Sequence, residues 1–418
     1  MRVLIFTNKS NDNDMKQRFA SLLVQNMDKY ASVILHTSLH SFKEDLTNNQ
    51  THIVHIIGCK SINSYRALRI AINHSIPVVL SPMGDIMQWN HNTFRQTVLR
   101  PFVKDLIQQA DAIHACSHLE ALRMQTLAWN PRLETIQNGI ISNQISTNQM
   151  ASAIIRLYNK VIDSNTFRLL TDEEKQVENT LLRIGLALTG QETAPLQLSR
   201  GGEYQSTTQE ASPRGGLEGA SFQSGTLPPS LWEGPGVGFS PSSWRKILLH
   251  ANDEHILHFV NAGAHYLQIQ TADLDIEKVE RFQQKHQKPD TLLPADQLSA
   301  KHAIRTRTLF EHLRQDEKPS ETELALCYLL VNTQHALRQA TLTKRQLAQL
   351  PLLLRFSHYD EDKAARMISR LRLTSFTESI LQILAEIYGL PEGFMPIQPA
   401  DNRYTNTIRK KLHNINLQ

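Results

Sequence analysis

The sequence predicts an α/β fold, with a doubly wound, parallel, Rossmann-like sheet in the N-terminal third and an all-helical C-terminal part. Residues 1–141 alternate short apolar runs with helix-period segments, which is the pattern of a parallel sheet covered by helices on both faces. From Trp244 onward the pattern is helical throughout. There, the segments 321–330, 345–355 and 378–386 carry apolar stripes at helical spacing.

Short apolar runs about 25 residues apart are predicted as the strands of the sheet. They cover residues 2–7, 31–36, 52–57, 77–80, 112–116 and 133–136. The segment after the third run predicts a helix whose apolar face packs on the sheet, because apolar residues recur there at helical spacing. These residues are Ile62, Tyr65, Leu68, Ala71 and Ile72.

The rest of the chain divides by composition. Residues 142–190 are predicted as a helical connector, in which Thr171 is an N-cap before acidic residues of the first turn. Residues 191–243 are rich in Gly, Pro and Ser and have no periodicity, so they are predicted to be a disordered insert. A helical domain is expected over 244–395 and a basic tail over 396–418, which is expected to fray from Arg409 onward.

Bulk composition excludes several classes of protein. The formal net charge of +4 over 418 residues is too small to indicate a nucleic-acid partner. The 3 cysteines form no Cys-x-x-Cys pair, which predicts reduced, mostly buried thiols. No secretory signal and no transmembrane segment are expected, since no apolar run approaches about 18 residues. The expected location is the cytoplasm.

Candidate substrate-binding residues lie in the loops after the predicted strands, because ligands of doubly wound sheets bind beyond the carboxyl ends of the strands. Glycines in these loops allow sharp turns or close approach to a ligand, and the serine is a natural N-cap at a helix N-terminus that favours anionic or hydroxylated ligands. The alternative is that these are ordinary strand-to-helix turns. The candidates are Gly58, Gly84, Asp85, Ser117, Asn138 and Gly139.

Taken in order, four segments resemble the N-terminal, acceptor-side domain of family 4 glycosyltransferases of the GT-B fold. They are HIVHIIG at 52–58, IPVVLSPMG at 76–84, ADAIHACS at 110–117 and IQNGI at 136–140. The resemblance covers roughly residues 1–141. It implies sugar transfer from a nucleotide-sugar to a glycan or lipid-linked acceptor in cell-surface polysaccharide biosynthesis.

The resemblance also implies positions for the candidate residues. Gly84 and Asp85 would lie on the acceptor side of a cleft, Ser117 at its wall, and Asn138 with Gly139 at an interdomain hinge. No catalytic residue is assigned, no metal is expected, and a nucleotide-sugar donor is the only cofactor-like ligand implied.

Several features differ from the family pattern. Residues 8–14, after the first strand, contain no glycine to meet a donor pyrophosphate, and Met83 and Ile57 stand where the family has histidine. Helical patterns follow residue 140 in place of a second, donor-binding Rossmann domain.

The sequence therefore leaves open whether the chain is an enzyme. One hypothesis is a glycosyltransferase whose donor site is supplied by a partner transferase subunit if it is missing here. The alternative is a non-catalytic acceptor-binding or scaffold relative that acts through its helical domain.

Two further groups of residues are weaker candidates. His250, His255 and His258 invite a metal interpretation, but no two are four residues apart, which favours core or helix-surface histidines. Arg95, Arg100 and Lys104 suit a phosphate or a peripheral membrane surface, with a solvated helix face as the alternative.

Overall fold

The chain folds into two compact units in the computed structural model. The structure describes residues 1–8, 14–48, 50–87, 94–141, 145–189, 240–271, 274–282, 300–339 and 341–414. The first unit comprises Met1–Leu169 and Asp275–Lys285, and the second comprises Leu170–Leu274 and His286–Gln418. Nearly all of the predicted insert at 191–243 lies outside the described residues; its last residues belong to a helix that begins at Pro241.

The first unit contains one parallel six-stranded sheet with the strand order β2-β1-β3-β4-β5-β6. The strands are β1 (Arg2–Thr7), β2 (Ser32–His36), β3 (Ile53–Ile57), β4 (Val78–Ser81), β5 (Ala112–Ala115) and β6 (Leu133–Thr135). All six predicted strands are confirmed, as is the parallel sheet. Each apolar run forms a strand because both of its faces can be buried under helices.

Helices cover both faces of this sheet. They are α1 (Met15–Met27), α2 (Leu39–Asn48), α3 (Ile62–Asn73), α4 (Phe94–Gln109), α5 (His118–Leu127), α6 (Thr147–Asp163) and α7 (Thr166–Leu169). Successive residues of β1 point to opposite cores: Leu4 packs in the core formed with α2, α3 and α4, and Ile5 in the core formed with α1 and α6. The compact unit therefore continues past residue 141 to include α6 and α7.

The predicted apolar face of α3 is only partly correct. Leu68 and Ala71 are buried, but Ile62 is 53 % exposed. The first turn of α3, which contains Ile62, lies at the carboxyl edge of the sheet, and only the later turns pack against the strands. Periodicity alone cannot show where along a helix its packing begins.

The second unit is helical throughout its described parts, which confirms the predicted helical C-terminal half. Its helices are α8 (Asp172–Thr189), α9 (Pro241–Asp253), α10 (Leu257–Tyr266), α11 (Ala300–Asp316), α12 (Glu321–Gln339), α13 (Lys344–Phe356), α14 (Glu361–Arg370), α15 (Thr374–Tyr388) and α16 (Arg403–Asn414). The predicted N-cap is confirmed, since Thr171 Oγ1 accepts from the Glu174 N–H at 3.2 Å. Part of the basic tail forms α16, in which Ile408 is fully buried.

Two glycines allow α8 and α10 to cross at backbone contact. A Cβ built on Gly185 would overlap the carbonyl group of Phe259, and one built on Gly263 would overlap the carbonyl group of Leu181. The two contacts are reciprocal and four residues apart on each helix, so the helices run antiparallel through this crossing. Any side chain at either glycine would force the helices apart.

The sequence predicted no transmembrane segment and reduced, mostly buried cysteines. Among the described helices, none combines the length and the apolar character needed to cross a bilayer. Cys59, Cys116 and Cys327 are all free thiols, and Cys59 and Cys327 are buried.

Candidate functional site

The candidate site lies at the carboxyl edge of the sheet, where the strand order changes direction. The chain passes from β1 outward to β2 and then returns across β1 to β3, so the topological switch point lies between β1 and β3. Crevices at such points are the usual ligand sites of doubly wound sheets. The loops after β3, β4, β5 and β6 at this edge carry all the residues that the sequence predicts for the site.

Asp85 lies at the centre of this edge. Its Oδ1 accepts from Lys16 Nζ at 2.7 Å, and its Oδ2 accepts from the backbone N–H groups of Cys59 at 2.8 Å and Lys60 at 3.2 Å. Asp85 as a whole residue is 7 % exposed, so these hydrogen bonds form largely out of contact with solvent. Asp85 thus joins the loop after β4 to the loop after β3 and to the start of α1.

Gly58 makes this arrangement sterically possible. Its φ of +87° is in the region that favours glycine, and its N–H donates to the Ser81 carbonyl at 2.8 Å. A Cβ at this position would lie 3.2 Å from the Lys16 side chain and 3.4 Å from Asp85 Oδ2. The glycine is therefore needed for the turn and for the close approach of the ion pair.

Met83 and Gly84 form the outermost part of the loop after β4. Both have positive φ, 54° for Met83 and 80° for Gly84. Gly84 is exposed, with open space where a Cβ would be, whereas Met83 is half-buried with its Sδ 2.9 Å from Cys116 Sγ. A side chain in the left-handed region is strained, and Met83 holds this conformation where the resemblance implies histidine.

Glu120 is a site residue that sequence reasoning missed. Its Oε1 accepts from the Gly84 N–H at 2.7 Å and its Oε2 from the Cys116 N–H at 2.8 Å. Burial raises the pKa of the Glu120 carboxyl, while the two backbone hydrogen bonds oppose this rise. Glu120 therefore anchors the Met83–Gly84 turn to the end of β5.

Ser117 is the N-cap of α5, as predicted. Its Oγ accepts from the Glu120 N–H at 3.2 Å, so this hydroxyl oxygen already serves as the cap of α5. The spacing Ser117-x-x-Glu120 is the pattern of a capping box, and it is the signal that could have identified Glu120. Here the glutamate bonds to the residue before the N-cap and not to the N-cap itself.

Asn138 and Gly139 form the turn after β6. Asn138 is 4 % exposed, and its Oδ1 accepts from the Ile140 N–H at 3.0 Å. A Cβ on Gly139 would lie 3.1 Å from the Ile145 carbonyl oxygen. The chain that follows this turn enters α6, which packs on the same sheet, so the contacts of both residues support the turn.

Behind the loops, a buried chain of hydrogen bonds crosses the sheet. Tyr158 Oη lies 2.6 Å from His55 Nδ1, His55 Nε2 lies 2.6 Å from Ser81 Oγ, and Ser81 Oγ lies 2.7 Å from His114 Nδ1. His114 Nε2 lies 2.9 Å from the Ile136 carbonyl oxygen. We call these four side chains the buried relay.

If both imidazoles are neutral, the terminal carbonyl fixes the direction of every hydrogen bond in the relay. Because this oxygen only accepts, His114 Nε2 carries the hydrogen and its Nδ1 accepts from the Ser81 hydroxyl. The Ser81 oxygen then accepts from His55 Nε2, and the Tyr158 hydroxyl donates to His55 Nδ1. With both imidazoles neutral, every group in the relay is satisfied in this direction.

Burial enforces this neutral state. Desolvation, with a smaller effect from His114, lowers the pKa of His55 well below its usual value. Desolvation also lowers the pKa of His114 to about 4. Both histidines are fully buried, so neither can exchange a proton directly with a ligand in the crevice. The relay positions the end of β4, from which the Met83–Gly84 turn projects.

The two thiols near the site are not activated. Burial raises the pKa of Cys59 well above its usual value, with a further rise from Asp85, and burial also raises that of Cys116. Both are therefore protonated at neutral pH and are poor nucleophiles. Across the described residues, no group of three or more His, Cys, Asp or Glu side chains could hold a metal ion.

The histidines of the second unit do not converge. His250 Nδ1 lies 2.7 Å from Glu178 Oε1, inside the helical core. His258 Nε2 lies 3.2 Å from Arg345 Nη1, and His255 has a φ of 57° at the turn after α9. Of the predicted basic group on α4, Arg100 and Lys104 are exposed, and the side chain of Arg95 lies outside the described residues.

Comparison of the chain with protein-family models, with curated proteins and with solved structures found no match. Proposals on function therefore depend on the site geometry and on the motifs of the sequence.

Proposed function

We propose that the chain is a glycosyltransferase-like protein of cell-surface polysaccharide biosynthesis, whose first unit binds a glycan or lipid-linked acceptor at the carboxyl edge of the sheet. In this proposal a partner transferase subunit supplies the nucleotide-sugar donor site, and the chain alone does not catalyse transfer. The ordered motifs at 52–58, 76–84, 110–117 and 136–140 support the glycosyltransferase relationship.

One observation supports the non-catalytic role above all others: Asp85 occupies the anion position of the crevice. A turn with a left-handed glycine followed by a helix N-terminus is a common phosphate cradle. Here the cradle formed by the Cys59 and Lys60 N–H groups, with the Lys16 ammonium beside it, holds the chain's own carboxylate. A donor phosphate would have to displace Asp85 from these three donors.

The outer rim of the same edge favours an amphipathic acceptor. Large apolar side chains stand exposed in the loops or early helical turns that follow β3, β4, β5 and β6, at the same edge of the sheet as the open backbone of Gly84. A sugar ring can hydrogen-bond to exposed backbone, and an alkyl chain can cover apolar side chains. These side chains are Ile62, Met87, Leu119, Leu122 and Ile141.

The proposal can be tested with alkyl glycosides and the corresponding free sugars. Calorimetric titration of the full chain should detect alkyl glycosides binding below their micellar concentration, with weaker binding of the free sugars. Leu119→Ser should weaken binding of the alkyl glycosides at least about fivefold, which corresponds to about 1 kcal/mol.

Tyr30→Ser is the matched control, because Tyr30 is 57 % exposed on the same unit but precedes β2 at the amino edge of the sheet. Equal loss in the two variants would show non-specific apolar binding and would count against an acceptor site. Absence of binding by the unmodified chain would contradict the proposal directly.

A further inference from the structure

A second polar cluster lies at the opposite, amino edge of the same sheet. Asp111 immediately precedes β5, Arg132 immediately precedes β6, and Arg168 is in α7. The Asp111 N–H donates to the Val78 carbonyl at 2.8 Å, and the Ile113 N–H donates to the Arg132 carbonyl at 2.8 Å. The register of three adjacent parallel strands therefore fixes the backbone on which this cluster is built.

Asp111 is the only carboxylate that the described contacts assign to the cluster, and it is already well bonded. Its Oδ2 accepts from the Val78 N–H at 2.8 Å and from Arg168 Nη1 at 3.0 Å. Asp111 is 4 % exposed. One guanidinium thus neutralises this carboxylate.

Arg132 adds a second guanidinium, whose Nε has no acceptor among the described residues. The residue is only 8 % exposed, and within the described residues its side chain makes no hydrogen bond. The Nε atoms of Arg132 and Arg168 are both fully buried and unpaired. Buried cationic donors without acceptors are costly, and in native proteins they commonly mark a missing anion.

The charges of the cluster do not balance. Burial lowers the pKa of the Arg132 guanidinium, Asp111 opposes this effect, and Arg168 adds to it by repulsion. Two cations therefore share one anion in a mostly dry setting. A further anion beside the two guanidiniums would relieve the repulsion.

We propose that Arg132 and Arg168 form a binding site for the phosphoryl group of a ligand. Guanidinium groups bind phosphate oxygens through paired N–H donors, and a phosphate dianion presents acceptors to two guanidiniums at once. This site is independent of the acceptor function proposed above, because it lies at the other edge of the sheet.

The test is calorimetric titration of the full chain with inorganic phosphate at constant ionic strength, with acetate as a second arm. The unmodified chain should bind phosphate more tightly than acetate, since a carboxylate carries less charge and fewer acceptors. Arg132→Met should weaken phosphate binding at least about tenfold. Arg66→Met is the matched control, because Arg66 is exposed on α3, and this variant should bind like the unmodified chain.

A second variant should change the phosphate affinity in the opposite direction. Asp111→Asn keeps an oxygen to accept from the Val78 N–H but removes the negative charge that repels phosphate, so phosphate should bind several-fold more tightly. A merely structural cluster would lose stability in Asp111→Asn without gaining affinity. The proposal is overturned if the unmodified chain does not bind phosphate, or if Arg132→Met and Arg66→Met bind it equally.

Discussion

One fully buried polar network in each unit can be compared, and the two differ in charge. In the first unit the buried relay consists of neutral groups, and each hydrogen bond has a single possible direction. In the second unit, Glu178 Oε1 lies 2.7 Å from His250 Nδ1, and Glu178 Oε2 lies 2.7 Å from Lys344 Nζ, so the buried contacts involve charge. A proton added to the neutral relay is a buried charge without a counter-ion, whereas a charged cluster is destabilised when one partner is removed.

The two units also differ in where their structurally important glycines lie. In the first unit the important glycines, Gly58 and Gly84, lie in exposed or edge turns with positive φ. In the second unit Gly185 and Gly263 lie inside helices, where the absence of a side chain permits helix contact. Substitutions should therefore affect local site geometry in the first unit and global stability in the second.

The largest effect is expected for Gly185→Ala. The added methyl group would overlap the Phe259 carbonyl, so α8 and α10 must separate and the free energy of unfolding should fall by about 4 kcal/mol or more. Denaturant unfolding followed by circular dichroism measures this loss.

Gly393→Ala is the control, because a Cβ at Gly393 meets no atom within 4 Å. Similar stability of the two alanine variants would show that the helices do not cross at Gly185.

The second-largest loss of unfolding free energy is expected for Glu178→Gln. Burial alone raises the pKa of the Glu178 carboxyl, but the charges and hydrogen bonds of His250 and Lys344 lower it to about 2. Loss of the carboxylate leaves the partly buried Lys344 without its anion, and we expect about 3–5 kcal/mol of destabilisation. Glu173→Gln, at an exposed position of the same helix, should change stability by less than about 0.5 kcal/mol in the same unfolding assay.

Lowering the pH should reduce the stability of the two units to different extents. The histidines of the relay have lowered pKa values in the folded state, so their stabilising contribution is complete above the unfolded value of 6.5 and is lost as the pH falls below it, down to a pKa of about 4 for His114. Each histidine should contribute a slope of about 1.4 kcal/mol per pH unit in that window. Glu178, whose pKa is about 2 against an ordinary 4.5, loses its contribution only below pH 4.5.

Variants that retain Trp129 or Trp244 as the fluorescent reporter would measure unfolding of the first and second units, respectively. Between pH 7 and pH 5.5 the first unit should lose about 2 kcal/mol and the second much less. Equal losses in this window would contradict a neutral relay in the first unit.

The smallest of these effects is expected for Tyr158→Phe. Removal of the hydroxyl leaves His55 Nδ1 as a buried acceptor without a donor, which should cost about 1–2 kcal/mol. Tyr30→Phe, at an exposed position of the same unit, should be neutral in denaturant unfolding. Equal stability of Tyr158→Phe and the unmodified chain would contradict a contribution from this hydrogen bond.

The sequence predicted the strands well because buried parallel strands are short, continuous apolar runs bounded by polar turns. It also placed Gly58, Gly84 and Asp85 at one edge, since carboxyl ends of parallel strands share an edge. It did not predict that Lys16 pairs with Asp85, because 69 residues separate them and no local pattern encodes the contact.

The remaining differences have similar causes. Ile62 matches the apolar period of α3 but lies above the sheet, so periodicity assigned it to a core that it does not reach. Gly185 and Gly263 lie in ordinary helical sequence, and only the crossing of α8 and α10 gives them a role. Glu120 carried a readable capping signal, yet its partner at Gly84 is set by the tertiary fold.

The most direct test of the proposed role is calorimetric titration of the full chain with a panel of UDP- and GDP-sugars, combined with an assay for sugar release or transfer. Because Asp85 holds the anion position, we expect neither binding nor turnover with the unmodified chain. Asp85→Asn, with Asp28→Asn at an exposed position as control, should permit at most weak donor binding, without turnover. Micromolar donor binding with turnover by the unmodified chain would contradict the account.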